Sequence, residues 1–172
     1  MGPIEITFFV MMAIWALIGV IRGYNRELGI TTMLLIALFV LVFTTGPMGH
    51  KFQAFLAFVA GPDPERQATL QALLFCGFLT VMVFISYQGQ TLAFSGSGRN
   101  SFVSMVTGLV NGYLYAGSLW FYLACANWPL LNVRPPYNNL YYAISAILPP
   151  AIFRWPFLIG LAVLLLIIRI WK

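Results

Sequence analysis

The chain has 172 residues, of which 61% are hydrophobic and 8% charged, with a mean hydropathy of +0.90. A soluble domain carries about 25% charged residues, so polar side chains are too few to coat a water-facing surface, and lipid is the expected solvent. The net charge of +5 comes from nine scattered Lys and Arg residues, which argues against a nucleic-acid surface and fits the positive flanks of membrane helices.

The N-terminal stretch "MGPIEITFFVMMAIWALIGVI" lacks the positive leader and small-residue cleavage site of a signal peptide. It is expected to stay in place as a first membrane helix over residues 4–21. A membrane-spanning helix needs about 20 mostly apolar residues. Residues 28–45 form the second such run, closed by Gly46-Pro47; 69–87 and 102–128 form the third and fourth. The run 157–171 is shorter, with fifteen residues, and at about 1.5 Å per residue it falls short of a hydrocarbon core of about 30 Å. Arg169, Trp171 and Lys172 can reach the interface from its end.

Between these runs lie two stretches with helical spacing but too few residues to span. Phe52, Phe55, Leu56 and Val59 repeat within 51–60, and Tyr137, Leu140, Tyr141, Ile144 and Leu148 within 137–148. Both are bounded by Gly or Pro, and both are expected to lie at the membrane interface, where Tyr and Trp collect. The predicted class is therefore all-α: one polytopic membrane bundle over 1–172, with four to five transmembrane helices plus two short interfacial helices.

Orientation follows from the short turn between the first two runs. Arg22 and Arg26 sit there beside Glu27, and the positive-inside rule assigns the turn to the cytoplasm. Arg99, Arg169 and Lys172 fall on the same side, while Lys51, Arg66, Arg134 and Arg154 fall outside in longer loops. The N-terminus is then outside and the C-terminus inside. Arg22 is the better-placed mate for Glu27, but an exposed ion pair contributes only about 0–1 kcal/mol. The arginines are read as setting orientation and anchoring to headgroups, a role that lysine could fill equally.

Candidate chemistry is sparse. No Asp, Glu, Lys, Arg or His occurs in 29–49, 67–98 or 100–133, which argues against a proton-driven pump or an ion-coupled transporter. His50 is a single histidine just past the second run, read as a loop residue. Cys76 and Cys125 lie inside apolar runs and read as packing residues. The connector "GSGRNS" (96–101) joins two membrane helices and reads as flexible. No catalytic set and no cofactor or metal site is assigned. A polar path through the bundle would have to use Thr80, Ser86, Thr107, Asn111 and Tyr115.

Small residues are patterned more clearly. Gly108, Gly112 and Ala116 recur every four residues, as do Gly19 and Gly23. Such rows let helix backbones approach closely where lipid supplies no hydrophobic drive for association. These five residues are assigned to a helix-packing seam.

Glu5, then Gly19, Arg22 and Gly23, then Arg26 and Glu27 resemble the N-terminal hairpin of the colicin V production protein family, small bacterial inner-membrane proteins. The stretch "SMVTGLVNGYLYAG" (104–117) is similar to that family's glycine-spaced later helix. The resemblance covers 4–45 and 99–118, and the chain departs from it in the Pro- and Tyr-rich loop and at 157–171. It implies an envelope-associated membrane protein with no catalytic residues to transfer. The expected function is a non-catalytic accessory subunit of a larger bacterial membrane complex, with respiratory or photosynthetic electron transfer as a host. Its expected partners are the bilayer and other membrane subunits. The alternative is a stand-alone envelope or export factor or small transporter.

Overall fold

Pro3 stands in the first turn of a helix, where its missing N–H costs nothing, and from it α1 (Pro3–Arg22) runs without interruption. Gly23 then takes φ +85°, a conformation that L side chains rarely adopt, and α2 (Tyr24–Thr45) starts at the next residue. The structure is a computed structural model that describes residues 2–88, 100–129, 131, 133 and 135–171. The other helices are α3 (Gly49–Ala60), α4 (Pro64–Gln88), α5 (Ser101–Cys125), α6 (Asn139–Ala146), α7 (Pro149–Ile152) and α8 (Trp155–Ile170). No strand occurs among the described residues. Arg99, Arg134, Lys172 and the glycine-rich residues 96–98 lie outside them.

Local chemistry accounts for the starts. The Asn100 side chain accepts hydrogen bonds from the Phe102 and Val103 amides at 3.1 and 3.4 Å, capping α5. Asn138 accepts from the Tyr141 amide at 2.7 Å and caps α6. Several boundaries differ from the sequence reading: α2 begins at Tyr24 and not at 28, so Arg26 and Glu27 stand in its first turn and not in a loop, and α4 begins at Pro64 and not at 69. The run 102–128 ends as a helix at Cys125, because Asn127 and Trp128 adopt left-handed backbone (φ 54° and 57°) and fold Trp128 back into the interior. Pro149-Pro150 does not merely close the preceding helix: it opens the single turn of α7, where proline suits the first positions.

Three helices, α1, α2 and α4, are long and apolar enough to cross a membrane. The 25-residue α5 has the length but carries Asn111 and several Ser, Gly and Tyr residues along it; α8 has 16 residues.

The helices pack around α2 and α5. Ile30, Leu34, Leu38 and Leu41 form one stripe of α2, meeting Phe75 and Leu79 of α4, Leu114 and Tyr122 of α5, and Leu158 and Ala162 of α8. A smaller cluster joins Ile4 and Phe8 of α1 to Trp120 of α5, Trp128 and Tyr141. The first helix packs along α5 and barely meets its own neighbour α2. Trp155, at the start of α8, packs edge-on against Phe43, near the end of α2, with ring centroids 5.5 Å apart, so these two helices run antiparallel. The helix directions put Arg22, Arg26 and Arg169 toward one end of the bundle, and Lys51, Arg66 and Arg154 toward the other.

Candidate functional site

The Gly23 break turns Glu27, in the first turn of α2, into the interior, where its side chain is fully buried. Three helices supply its partners. Arg22 Nε, from the last turn of α1, lies 3.4 Å from Glu27 Oε1. Tyr87 Oη of α4 donates to Glu27 Oε2 at 3.3 Å. Asn111 Nδ2 of α5 donates both to Oε2 at 2.9 Å and to the Glu27 backbone carbonyl at 3.1 Å. Thr31, one turn along α2, donates to Asn111 Oδ1 at 2.7 Å and lies 3.0 Å from the Glu27 carbonyl. With a single hydroxyl proton to give, it satisfies one of these acceptors at a time.

Arg22 is held from a second side. Its Nη1 donates to the Tyr87 carbonyl at 3.1 Å, and the guanidinium lies over the Tyr87 ring, 4.5 Å from the centroid. Arg22 Nε and Glu27 Oε1 face each other as an ion contact without hydrogen-bond geometry, and neither atom makes another bond. The carboxylate is thus neutralised by charge on one oxygen and hydrogen-bonded on the other. The side chains pair a carboxylate with a cation and amide donors, an arrangement suited to fixing helices, because a buried charge is tolerated when it is paired and hydrogen-bonded.

The glycine row stands next to this cluster. A Cβ on Gly19 would lie 2.4 Å from the Ser104 carbonyl oxygen, and one on Gly108 would lie 2.4 Å from the Trp15 carbonyl oxygen. At Gly112 it would meet Trp15 Cβ at 2.9 Å. Gly19, Gly108 and Gly112 therefore line the closest approach of α1 and α5, with backbone against backbone. Ala116, two turns beyond Gly108, is buried against the Phe8 and Trp120 cluster. Gly23 is placed elsewhere: nothing lies within 4 Å of its Cβ position, and its role is the break between helices.

Arg22, Arg26 and Glu27 also separate. The Arg22–Glu27 pairing occurs, but with a buried partner, so the exposed-pair energy assumed from sequence does not describe it. Arg22 uses the flat, forked guanidinium, which differs from a role that any cation fills. Arg26 is exposed and forms no ion pair with a described residue.

Of the polar side chains considered for a path, each is bonded within the protein. Thr80 Oγ1 is 2.7 Å from the Cys76 carbonyl and 3.0 Å from Tyr115 Oη. Ser86 donates to the Met82 carbonyl, Thr107 to the Val103 carbonyl, and Asn111 belongs to the Glu27 cluster. His50 is exposed on α3. Among the described residues no group of three or more His, Cys, Asp or Glu gathers to hold a metal ion.

Sequence reasoning missed the burial of Glu27 and the part played by Tyr87. One signal was available: Asn111 is an amide in the middle of an apolar run, and such a residue needs a polar partner on another helix. Compared with known proteins, the chain matches no family model, and no curated protein and no solved structure matches it.

Proposed function

We propose that the chain is a multi-pass protein of the bacterial inner membrane and acts as a non-catalytic accessory subunit of a larger membrane complex. In this reading α5 and α8 cross together with α1, α2 and α4, which leaves the N-terminus outside and the C-terminus in the cytoplasm. One observation carries the reading: the side chains that would have to line a polar path, Thr80, Ser86, Thr107, Asn111 and Tyr115, are bonded to one another, to their own helix or into the Glu27 cluster. The large side chains on the outer faces of α1, α4 and α8, such as Leu17, Phe84 and Leu164, are apolar and exposed, suited to lipid or to neighbouring apolar helices. Of the residues that resemble the colicin V production hairpin, Gly19 lines the approach of α1 to α5, Gly23 breaks the helix, and Arg22 pairs with Glu27. Respiratory or photosynthetic electron transfer is the proposed host.

Purification in mild detergent followed by native mass measurement tests this. Recovery within one stable assembly is expected; a monomer would overturn the subunit reading in favour of a stand-alone envelope or export factor. Orientation is tested with Arg66→Cys in a Cys76→Ser, Cys125→Ser background. A membrane-impermeant thiol reagent is expected to label it in intact cells, and labelling only after permeabilisation would reverse the topology.

A further inference from the structure

A cavity of about 260 Å³ lies between the start of α1, the end of α5 and the segment that follows α5. Thr7, Phe8 and Met11 of α1 form one wall, Leu119 and Trp120 of α5 another, and Trp128 the third. Two backbone features make the space. Past Met11 the helices close up: a Cβ on Gly112 would lie 3.0 Å from Met12 Cα. Beyond Cys125 the left-handed backbone of Asn127 and Trp128 turns the chain back, which brings Trp128 and Leu131 against the cavity instead of extending α5.

The wall offers water nothing to bond. Thr7, its one hydroxyl side chain among the described residues, donates to the Pro3 carbonyl at 2.7 Å. Trp128 Nε1 is spent on Tyr141 Oη at 3.2 Å, and Trp120 Nε1 is buried, so both residues present ring carbon. Water needs two to four polar partners, whereas a carbon-lined cavity of about 150 Å³ stays dry and takes up benzene. This one is larger and lined by carbon, so its occupant is hydrocarbon.

Position selects the kind of hydrocarbon. Thr7 is exposed, and Thr7, Ile14 and Ile21 repeat every seven residues on one face of α1. Ile14 and Ile21 are 49% and 81% exposed, on a helix long and apolar enough to cross a membrane. The cavity therefore opens at one end of a lipid-facing stripe. A partner's helix, about 10–12 Å across, needs a groove along its length, and this opening is confined to the stretch from Pro3 to Met11. A single flexible chain from the surrounding bilayer fits it.

We propose that this cavity holds one acyl chain of a bilayer phospholipid, seated against the Trp120 and Trp128 rings. The inference rests on the membrane reading and is independent of any host complex.

The two tryptophans report on it. The exposed Trp155 and Trp171 are replaced by phenylalanine, and Trp15, packed against the Tyr87 and Tyr115 rings, stays as a constant background. The chain is reconstituted in dioleoyl phosphatidylcholine vesicles with a rising share of the analogue brominated at its double bonds, whose bromines quench tryptophan on contact. Trp120 and Trp128 are 3% and 4% exposed, so lipid on the outer surface does not reach them. Their fluorescence is expected to fall in direct proportion to the brominated share, the signature of one chain at one place; contact with many surrounding chains gives a steeper, curved loss. Thr7→Phe puts a ring into the mouth from an exposed position, and Leu119→Phe narrows the space from α5. Each is expected to keep the parent's helical circular dichroism and to lose most of the quenching. Absence of quenching, a steep curve, or quenching retained in both filled variants would overturn the proposal. Flotation keeps two failures apart: a chain that does not float with the vesicles sinks the membrane reading and this inference with it, while one that floats unquenched sinks this inference alone.

Discussion

The two ends of α2 and α5 are held by different physics. Near Arg22 the contacts are polar and directional: a carboxylate, a guanidinium, an amide and two hydroxyls from four helices meet at 2.7–3.4 Å. Toward Trp128 the contacts are between rings. Phe8 meets Trp120 edge-on at 5.4 Å, Trp120 lies 5.2 Å from Tyr141, and Trp128 Nε1 donates to Tyr141 Oη at 3.2 Å. Two donors there, Trp120 Nε1 and Tyr122 Oη, are buried without partners. The first end defines one arrangement of the helices, since a shifted register would strand a buried charge. The second tolerates adjustment and leaves room, which is where the cavity lies.

The strongest way to break this contrast is Arg22→Gln. It leaves Glu27 as a buried charge without its counter-ion, and removing one partner of a buried pair costs about 3–5 kcal/mol. Chemical denaturation in detergent micelles should show the loss. Arg22→Lys should recover only part of it, because an ammonium cannot reproduce the bond to the Tyr87 carbonyl together with the contact to Glu27. Full recovery with lysine would reduce Arg22 to a simple charge. Next comes Gly108→Ala: one methyl group against the Trp15 carbonyl forces α1 off α5, at about 1–3 kcal/mol for overpacking. Crosslinking between cysteines placed on the two helices should fall in step.

At the ring-packed end, Trp128→Phe removes the single hydrogen bond to Tyr141 and keeps an aromatic ring, so about 1 kcal/mol is expected. A loss as large as that of Arg22→Gln would erase the distinction between the ends. Arg26→Gln should be smallest, within about 0.5 kcal/mol as for most exposed substitutions, and should show instead as reduced correct insertion. The pair of arginine substitutions therefore separates a structural charge from an orienting one.

Composition, spacing and turn residues conveyed most of the helices, because a residue count and a Gly or Pro boundary are local properties. The α3 and α6 stretches emerged for the same reason. What the chain hid was burial set by distant residues. Nothing adjacent to Glu27 says that Asn111 will cover it, and Arg22 beside Arg26 reads as two equivalent surface charges. The glycine spacing pointed to a seam but could not choose its members: Gly19 and Gly23 share a spacing, yet one faces α5 and the other breaks a helix. Trp128 was assigned to a helix because its apolar neighbours run on from α5, while the left-handed turn that buries it is fixed by tertiary packing.

The near absence of contact between α1 and α2 bears on the order in which the molecule can be assembled. A one-residue connection ordinarily yields two helices that pack on each other as soon as both have left the ribosome. Here the surface of α1 that carries Gly19 fits α5, and the partners of Glu27 come 60 and 84 residues later in the chain. Of the groups that surround the Glu27 carboxylate, only Arg22 belongs to the part of the chain made before α4 and α5. Arrival of Tyr87 and then Asn111 completes that carboxylate's shell and draws α5 against α1. The seam is therefore a late event in biosynthesis, and a chain stalled before α5 emerges holds the hairpin without the helix it was shaped to receive.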